Sequence, residues 1–316
     1  DQSFYRRDRF YLPRGFRMID GRDFPRSDPR TNWGYSDKAL ARRAVDALDQ
    51  TEEPFAALVL TVSNHHPFQV PADAESKSPV EGPDERGYFA FTQGAPLVGR
   101  HTRPMMRTIH YTDEAVGDFF RLAASRPWAK RTVFVVSGDH GLPIQPLGGL
   151  ASSHELAEVR HGVPLIFWSP LLPGGRVVAG PASLADVPPT LLGLAGIDLP
   201  RSFIGADLLD PATDLVARPL LLYDDEAHQV TVLKRGLAYD ATVSPPRTSP
   251  SWALADGRLY DTRLDPRGTR DIAGERRADT AELAGDAERF LDLYPWLALT
   301  GRAGLPPSAP AATRRP

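Results

Sequence analysis

Three short runs of apolar and β-branched residues, each ending in side chains able to do chemistry, set the strongest limit on how this chain folds. Ala57-Leu58-Val59-Leu60-Thr61-Val62 leads into Ser63-Asn64-His65-His66-Pro67-Phe68, and Thr132-Val133-Phe134-Val135-Val136 leads into Ser137-Gly138-Asp139-His140-Gly141. Val163-Pro164-Leu165-Ile166-Phe167-Trp168 leads into Ser169-Pro170. Runs this short and this β-rich predict strands buried on both faces of a parallel sheet. Ligands of open α/β sheets sit beyond the carboxyl ends of the strands, so the three polar ends are expected to face one site.

Helical patterns alternate with these runs. Ser36 is a candidate N-cap for a helix to Leu48, with Leu40, Ala44, Val45 and Leu48 at helical spacing. Thr102 to Ala124 carries Met105, Ile109, Ala115, Val116 and Phe119 or Phe120 on one side, with Pro127 soon after. Leu184 to Ala195 ends at Gly196, a natural C-terminal stop. Asp186, ahead of Pro188-Pro189-Thr190, is expected near that helix's N-cap as a fold marker. The alternation predicts an α/β class chain.

Residues 69–101, rich in Pro, Gly and charge, read as a long loop over the carboxyl edge of the sheet. After about residue 211, Leu220 to Tyr223, Gln229 to Leu233 and Leu259-Tyr260-Asp261 read as strands of a smaller antiparallel unit, with a helix from Thr280 to Leu297 against it. The expected division is a catalytic-type domain over 1–210, a small α+β subdomain over 211–303 and a disordered tail over 304–316.

Charge and composition exclude several functions. With 37 basic and 40 acidic residues the chain lacks the polycationic signature of nucleic-acid binding. It has no cysteine, so disulfides, thiolate zinc sites and cysteine nucleophiles are ruled out. No apolar stretch approaches the roughly 20 residues that span a bilayer. The start at Asp1, polar and arginine-rich, reads as a cut or processed end.

Asp139 and His140 offer an anionic oxygen and a neutral nitrogen to a divalent metal. The pentapeptide alone fits a turn equally well, with Asp139 bonding backbone amides. His66 reads as structural or solvent-facing, and His110, on an apolar helix, as a satisfied core residue.

The order of motifs is more specific than any one of them. Asn64 to Phe68, Ile109 to Phe119, Val136 to Gly141, Gly162 to Ile166 and Asp186 to Leu192 with Ala195-Gly196-Ile197 together resemble the sulfatase and phosphoglycerol transferase branch of the alkaline phosphatase superfamily. Ser3-Phe4-Tyr5-Arg6-Arg7, Gly15-Phe16, Asp20 to Phe24 and Asn32 to Asp37 are similar to its lipoteichoic acid synthase group. The resemblance covers residues 3–210 well and the remainder loosely, where Leu259-Tyr260-Asp261 and Asp265-Pro266 resemble the ending of many sulfatases.

That resemblance implies a three-layer α/β/α sandwich, alkaline phosphatase-like, with a small C-terminal antiparallel subdomain. It implies that Asp139 and His140 are metal ligands, with one Mn2+ favoured and Mg2+, Ca2+ or Zn2+ possible. His65 matches the histidine at the substrate phosphate. Tyr5 and Arg7 match an aromatic and an arginine that line a glycerol phosphate pocket, where a guanidinium fork suits a phosphoryl oxygen pair. Core packing for Tyr5 and a surface charge for Arg7 are the competing readings. His154 and His161 lie where relatives place substrate-contacting or supporting groups, with a solvated loop the alternative. The nucleophilic threonine and a further acidic ligand are expected upstream of Asp1. The implied partner is a phospholipid head group or glycan acceptor at the periplasmic or extracellular face of a bacterial plasma membrane, with membrane attachment through a segment absent here. Sulfatase or phosphoethanolamine transferase activity, or a non-catalytic module that binds head groups or glycans, are the alternatives.

Overall fold

The computed structural model describes residues 6–74, 90–91, 102–141, 144–145, 152–197, 204–224, 227–244 and 252–299. Most of the expected 69–101 loop, the 304–316 tail and Tyr5 lie outside the described residues. The chain divides into two compact units, one of residues 1–132 with 169–172, the other of 133–168 with 173–316. The expected boundary near residue 210 falls inside the second unit.

In the first unit, helix α1 (Arg7–Tyr11) is followed by a hairpin of β1 (Arg30–Thr31) and β2 (Gly34–Tyr35). Helix α2 (Asp37–Asp49) starts where the sequence places it, with the Ser36 side chain accepting from the Ala39 N–H. Ala39, Val45 and Leu48 face inward. Helix α3 (Thr102–Ala123) packs against α2, and its buried stripe is Met105, Thr108, Tyr111 and Ala115. Ile109 stands 39% exposed, so the expected apolar face is rotated. The polar members Thr108 and Tyr111 move inside because hydrogen bonds to Met105 O and to the Asp73 carboxylate satisfy them there. His110 is half-buried beside Glu114 at 3.3 Å and not in the core.

The Ala57–Val62 run is not a strand, and Leu58, Val59 and Leu60 are 70%, 43% and 42% exposed. An extended run is a buried strand only when neighbouring strands take up its backbone hydrogen bonds. No partner strand pairs with it among the described residues.

In the second unit, β3 (Phe134–Ser137) and β4 (Leu165–Trp168) do form, but they pair antiparallel, with Phe134 opposite Trp168 and Ser137 opposite Leu165. The parallel expectation is therefore corrected for this pair. Between them runs α4 (Ser153–His161). Helix α5 (Val187–Leu194) follows a single 3-10 turn, and Gly196 stops it at a φ of +64°. Asp186 is fully buried, accepting from Ser183 N and Ala206 N and from the Arg218 guanidinium, which fits its expected role as a fold marker.

The C-terminal sheet is antiparallel in the order β8 (Ala253–Asp261), β7 (Leu237–Ser244), β6 (Gln229–Lys234), β5 (Leu220–Asp224). Strand β7 is absent from the sequence reading. Its signal is the two-residue turn Arg235-Gly236, both at positive φ, followed by inward alternation of Leu237, Tyr239, Ala241 and Val243. Helix α6 (Arg277–Leu299) covers one face, inserting Leu283, Ala287 and Leu291 between Val230, Val232 and Leu259. On the other face, Thr231 donates to Asp240 at 2.7 Å.

Leu283 has no exposed surface, so Leu283→Ala is expected to cost about 2–5 kcal/mol by leaving a cavity under the sheet. The urea midpoint of unfolding measures it. Burial pushes the pKa of half-buried His161 below its usual 6.5, with Arg160 adding to this and Asp224 opposing it. A depressed folded pKa gives stability that is full above pH 6.5 and lost as pH falls through the folded value. Urea midpoints taken across that range are expected to fall with pH in the wild type and to fall less in His161→Gln.

Candidate functional site

The first unit builds the surroundings of His65 around one buried carboxylate. Asp37, 2% exposed in the first turn of α2, accepts from Val62 N at 2.8 Å, Ser63 N at 3.2 Å and Thr112 Oγ1 at 3.3 Å. It therefore fastens the turn leading to His65 onto both α2 and α3. The Thr108 hydroxyl, shared with Met105 O, also lies 3.2 Å from Asn64 Oδ1, a second contact one residue before His65. Asp73 receives Ser36 Oγ at 2.7 Å and Tyr111 Oη at 2.8 Å, so the far side of the same loop is held as well. Burial raises the Asp37 pKa, and the donors from Val62, Ser63 and Thr112 oppose the rise. Burial likewise raises the pKa of the Tyr111 hydroxyl.

His65 itself is exposed, and its Nδ1 lies 2.8 Å from the His66 carbonyl oxygen. A carbonyl can only accept, so Nδ1 carries the proton and the neutral ring presents Nε2 as a bare lone pair. The Trp33 ring, at the turn of the β1–β2 hairpin, lies 4.1 Å from the His65 ring, and its Nε1–H donates to the same His66 carbonyl. Asn32 N donates to Gln69 Oε1 at 2.9 Å and fixes the hairpin on the loop. His66 is exposed, as expected. Arg7 is half-buried in α1.

In the second unit, Asp139 and His140 follow β3 with side chains 72% and 60% exposed. Asp139 Oδ1 accepts from His140 N at 3.0 Å, the turn geometry that the pentapeptide allows. His140 Nδ1 lies 2.7 Å from the Gly141 carbonyl oxygen, so this ring too presents Nε2 as a lone pair. The turn and two side chains of metal-donor type thus coexist in one loop. The loop sits on the end of α4, where Gly141 N donates to Arg160 O at 2.7 Å. A Cβ on Gly141 would fall 2.1 Å from Val159 O, so only glycine permits this approach. One carboxylate oxygen and one imidazole nitrogen suit a divalent ion, but a full set needs more donors. No group of three or more metal-type side chains occurs among the described residues.

His154 lies elsewhere in character. It is 1% exposed on α4, its ring stacked on Tyr260 with centroids 6.1 Å apart. Nε2 comes within 3.3 Å of Glu158 Oε1 without hydrogen-bond geometry, and neither ring nitrogen has a hydrogen-bond partner. His154 is interior, whereas Asp139 and His140 are open to solvent. Trp33 and Asp37 are the residues that motif reading left without a role. Their signals are an aromatic at a hairpin turn and an acid directly after an N-cap serine.

The sulfatase family profile matches residues 1–197. The chain belongs to the sulfatase family. It is 28% identical to the lipoteichoic acid synthase of Staphylococcus saprophyticus over 319 aligned positions, covering 92% of this chain and 42% of that relative. The chain thus spans less than half of that relative's length. Its fold is similar to the crystal structure of a lipoteichoic acid synthase from Listeria monocytogenes, with a TM-score of 0.64, 20% identity and coverage of 93% of this chain and 66% of that one. A protein of the alkaline phosphatase superfamily from Vibrio parahaemolyticus gives a TM-score of 0.59 at 21% identity, covering 88% of this chain and 64% of that one. The α/β, alkaline phosphatase-like fold class read from the sequence is the class of these structures.

Asp37→Ala removes the acceptor of buried N–H groups and is expected to destabilise the first unit by about 3 kcal/mol. Denaturant unfolding measures this, and Asp37→Asn, which keeps one acceptor oxygen, is expected to recover part of the loss.

Proposed function

We propose that this chain forms part of a metal-dependent phosphoglycerol transferase or hydrolase acting on a phosphodiester head group such as that of phosphatidylglycerol. The observation that carries this reading is His140, whose Nδ1 is tied to the Gly141 carbonyl and whose Nε2 lies 3.9 Å from the solvent-exposed Asp139 carboxylate, so that a nitrogen and an anionic oxygen are offered together. The likeness to lipoteichoic acid synthases supports the phosphoglycerol chemistry.

In this reading Asp139 and the Nε2 of His140 hold a divalent ion, Mn2+ favoured, together with an acid outside this chain. Such an ion supplies Lewis-acid neutralisation of phosphoryl oxygens and a lowered pKa for the attacking hydroxyl. Arg7 holds a phosphoryl oxygen pair through its guanidinium fork, and Tyr5 is the aromatic of the same motif. The nucleophilic hydroxyl, also outside this chain, would lose its proton to solvent and form a bond to phosphorus as the bond to the diacylglycerol oxygen breaks, giving a covalent phospho-enzyme. The departing oxygen takes a proton. In this reading His65 Nε2–H binds the phosphate and passes its proton to the leaving oxygen. A second alcohol or water then forms a bond to phosphorus as the bond to the enzyme's oxygen breaks, and its proton returns to His65 Nε2. His154, being interior, packs the second unit and takes no part.

No helix among the described residues is long and apolar enough to cross a membrane. The reading places the reaction at the outer face of a bacterial plasma membrane, where such head groups are presented. The acceptor is a glycan or a second head group.

The complete gene product is expected to release the glycerol phosphate group from a phosphatidylglycerol analogue in the presence of Mn2+. His65→Gln is expected to lower kcat by about hundredfold or more, since glutamine can donate a hydrogen bond but no proton. Asp139→Asn is expected to weaken Mn2+ binding in a calorimetric titration. Cleavage of a sulfate ester with no head-group release would instead assign the sulfatase reaction.

A further inference from the structure

Residues 6–17 carry five arginines against one aspartate, in a chain whose net charge is −3. The positive charge is therefore local. Arg6, Arg9, Arg14 and Arg17 are all exposed. Interleaved with them, Phe10, Leu12 and Phe16 are 54%, 47% and 39% exposed, although large apolar side chains normally seek cover.

The arrangement is ordered. Tyr11 is half-buried and touches both neighbours edge-on, with ring centroids 5.0 Å from Phe10 and 5.3 Å from Phe16. It braces the two phenylalanines while they project. Arg14 lies over the Phe10 ring at 4.1 Å and donates to the Phe10 carbonyl at 2.6 Å, so cation and ring are presented together. Gly15, at a φ of +82°, turns the chain so that Phe16 can return toward Tyr11.

Projecting aromatics set among arginines match one partner chemistry above others: the interface of a bilayer carrying anionic lipid. The rings enter the boundary between head groups and acyl chains while the guanidinium groups meet the phosphates. A purely polyanionic partner would leave Phe10, Leu12 and Phe16 unexplained. A purely apolar partner would leave the arginines stranded. We propose that residues 6–17 are a peripheral membrane-contact surface of this chain, selective for anionic lipid and separate from any anchor outside the chain. The surface does not depend on the reaction proposed above.

Vesicles of phosphatidylcholine with and without phosphatidylserine test the surface, because phosphatidylserine is not the head group of the proposed reaction. The full chain is expected to co-sediment with the phosphatidylserine vesicles, to stay in solution with phosphatidylcholine alone, and to be released by salt. Arg9→Gln with Arg14→Gln is expected to weaken binding on the order of tenfold or more, as each arginine near an anionic leaflet contributes about fivefold. A tryptophan reporter, Phe10→Trp, is expected to shift its emission to the blue on binding. Absence of sedimentation, equal binding by the arginine double variant, or an unshifted reporter on sedimented protein would each overturn the proposal. Loss of head-group release by the complete gene product leaves these measurements unaffected, so the two readings fail separately.

Discussion

The carboxylate of Asp37 is the constraint on which the first unit turns. A buried anion is tolerable only where donors surround it, and here the donors are the Val62 and Ser63 backbone and the Thr112 hydroxyl. The same contacts do two jobs. They keep the charge from standing unpaired, and they fix a loop with which no strand pairs among the described residues. The start of α2, the turn before His65 and the middle of α3 are thereby tied to a single side chain. Neighbouring Lys38 is also buried, with Glu114 at 3.3 Å, so the N-terminal turn of α2 is a polar knot inside an otherwise apolar packing of two helices. Such a knot adds less net stability than an apolar core of equal volume, but it admits only one register between the loop and the helices.

The two candidate histidines share a local device. Each lends its Nδ1–H to the carbonyl of the following residue, so the tautomer is set within the dipeptide and needs no distant carboxylate. What differs is the support beneath. His65 rests on hydrogen bonds from buried side chains and on the Trp33 ring. His140 rests on a backbone approach to α4 that only Gly141 allows. One loop is held by side chains and the other by the lack of one.

These differences account for what could be read from the sequence. Helices α2 and α5 were legible because their signals are local: Ser36 caps one, and Gly196 stops the other. Strands β3 and β4 were legible as strands, yet not their direction, because a run of β-branched residues does not record the orientation of its partner. Ala57 to Val62 has strand composition and no strand, since composition supplies a preference while pairing needs a neighbour. The stripe on α3 was misplaced by hydrophobicity counting, which cannot know that Thr108 and Tyr111 have partners waiting inside. Asp139, His140 and His65 are candidates that motif order supplies. Asp37 and Trp33 are not, because their roles are created by contacts 25 and 33 residues away in sequence.

His154 shows why motif proximity is weaker evidence than position on a helix. It follows the Asp139-His140 pair closely in sequence, and a loop would have left it facing solvent. Ser152 instead caps α4 by accepting from Glu155 N at 3.1 Å, and this fixes the helical phase of the residues after it. That phase turns His154 and Ala157 inward. Glu158, one residue on from Ala157, is exposed, and Arg160 comes round to pair with Asp224 at the end of β5. The imidazole then stacks on Tyr260, within the segment whose sequence resembles the sulfatase ending. The cap at Ser152 decides which side of α4 faces inward, and with it the place of His154 in the packing of the C-terminal sheet.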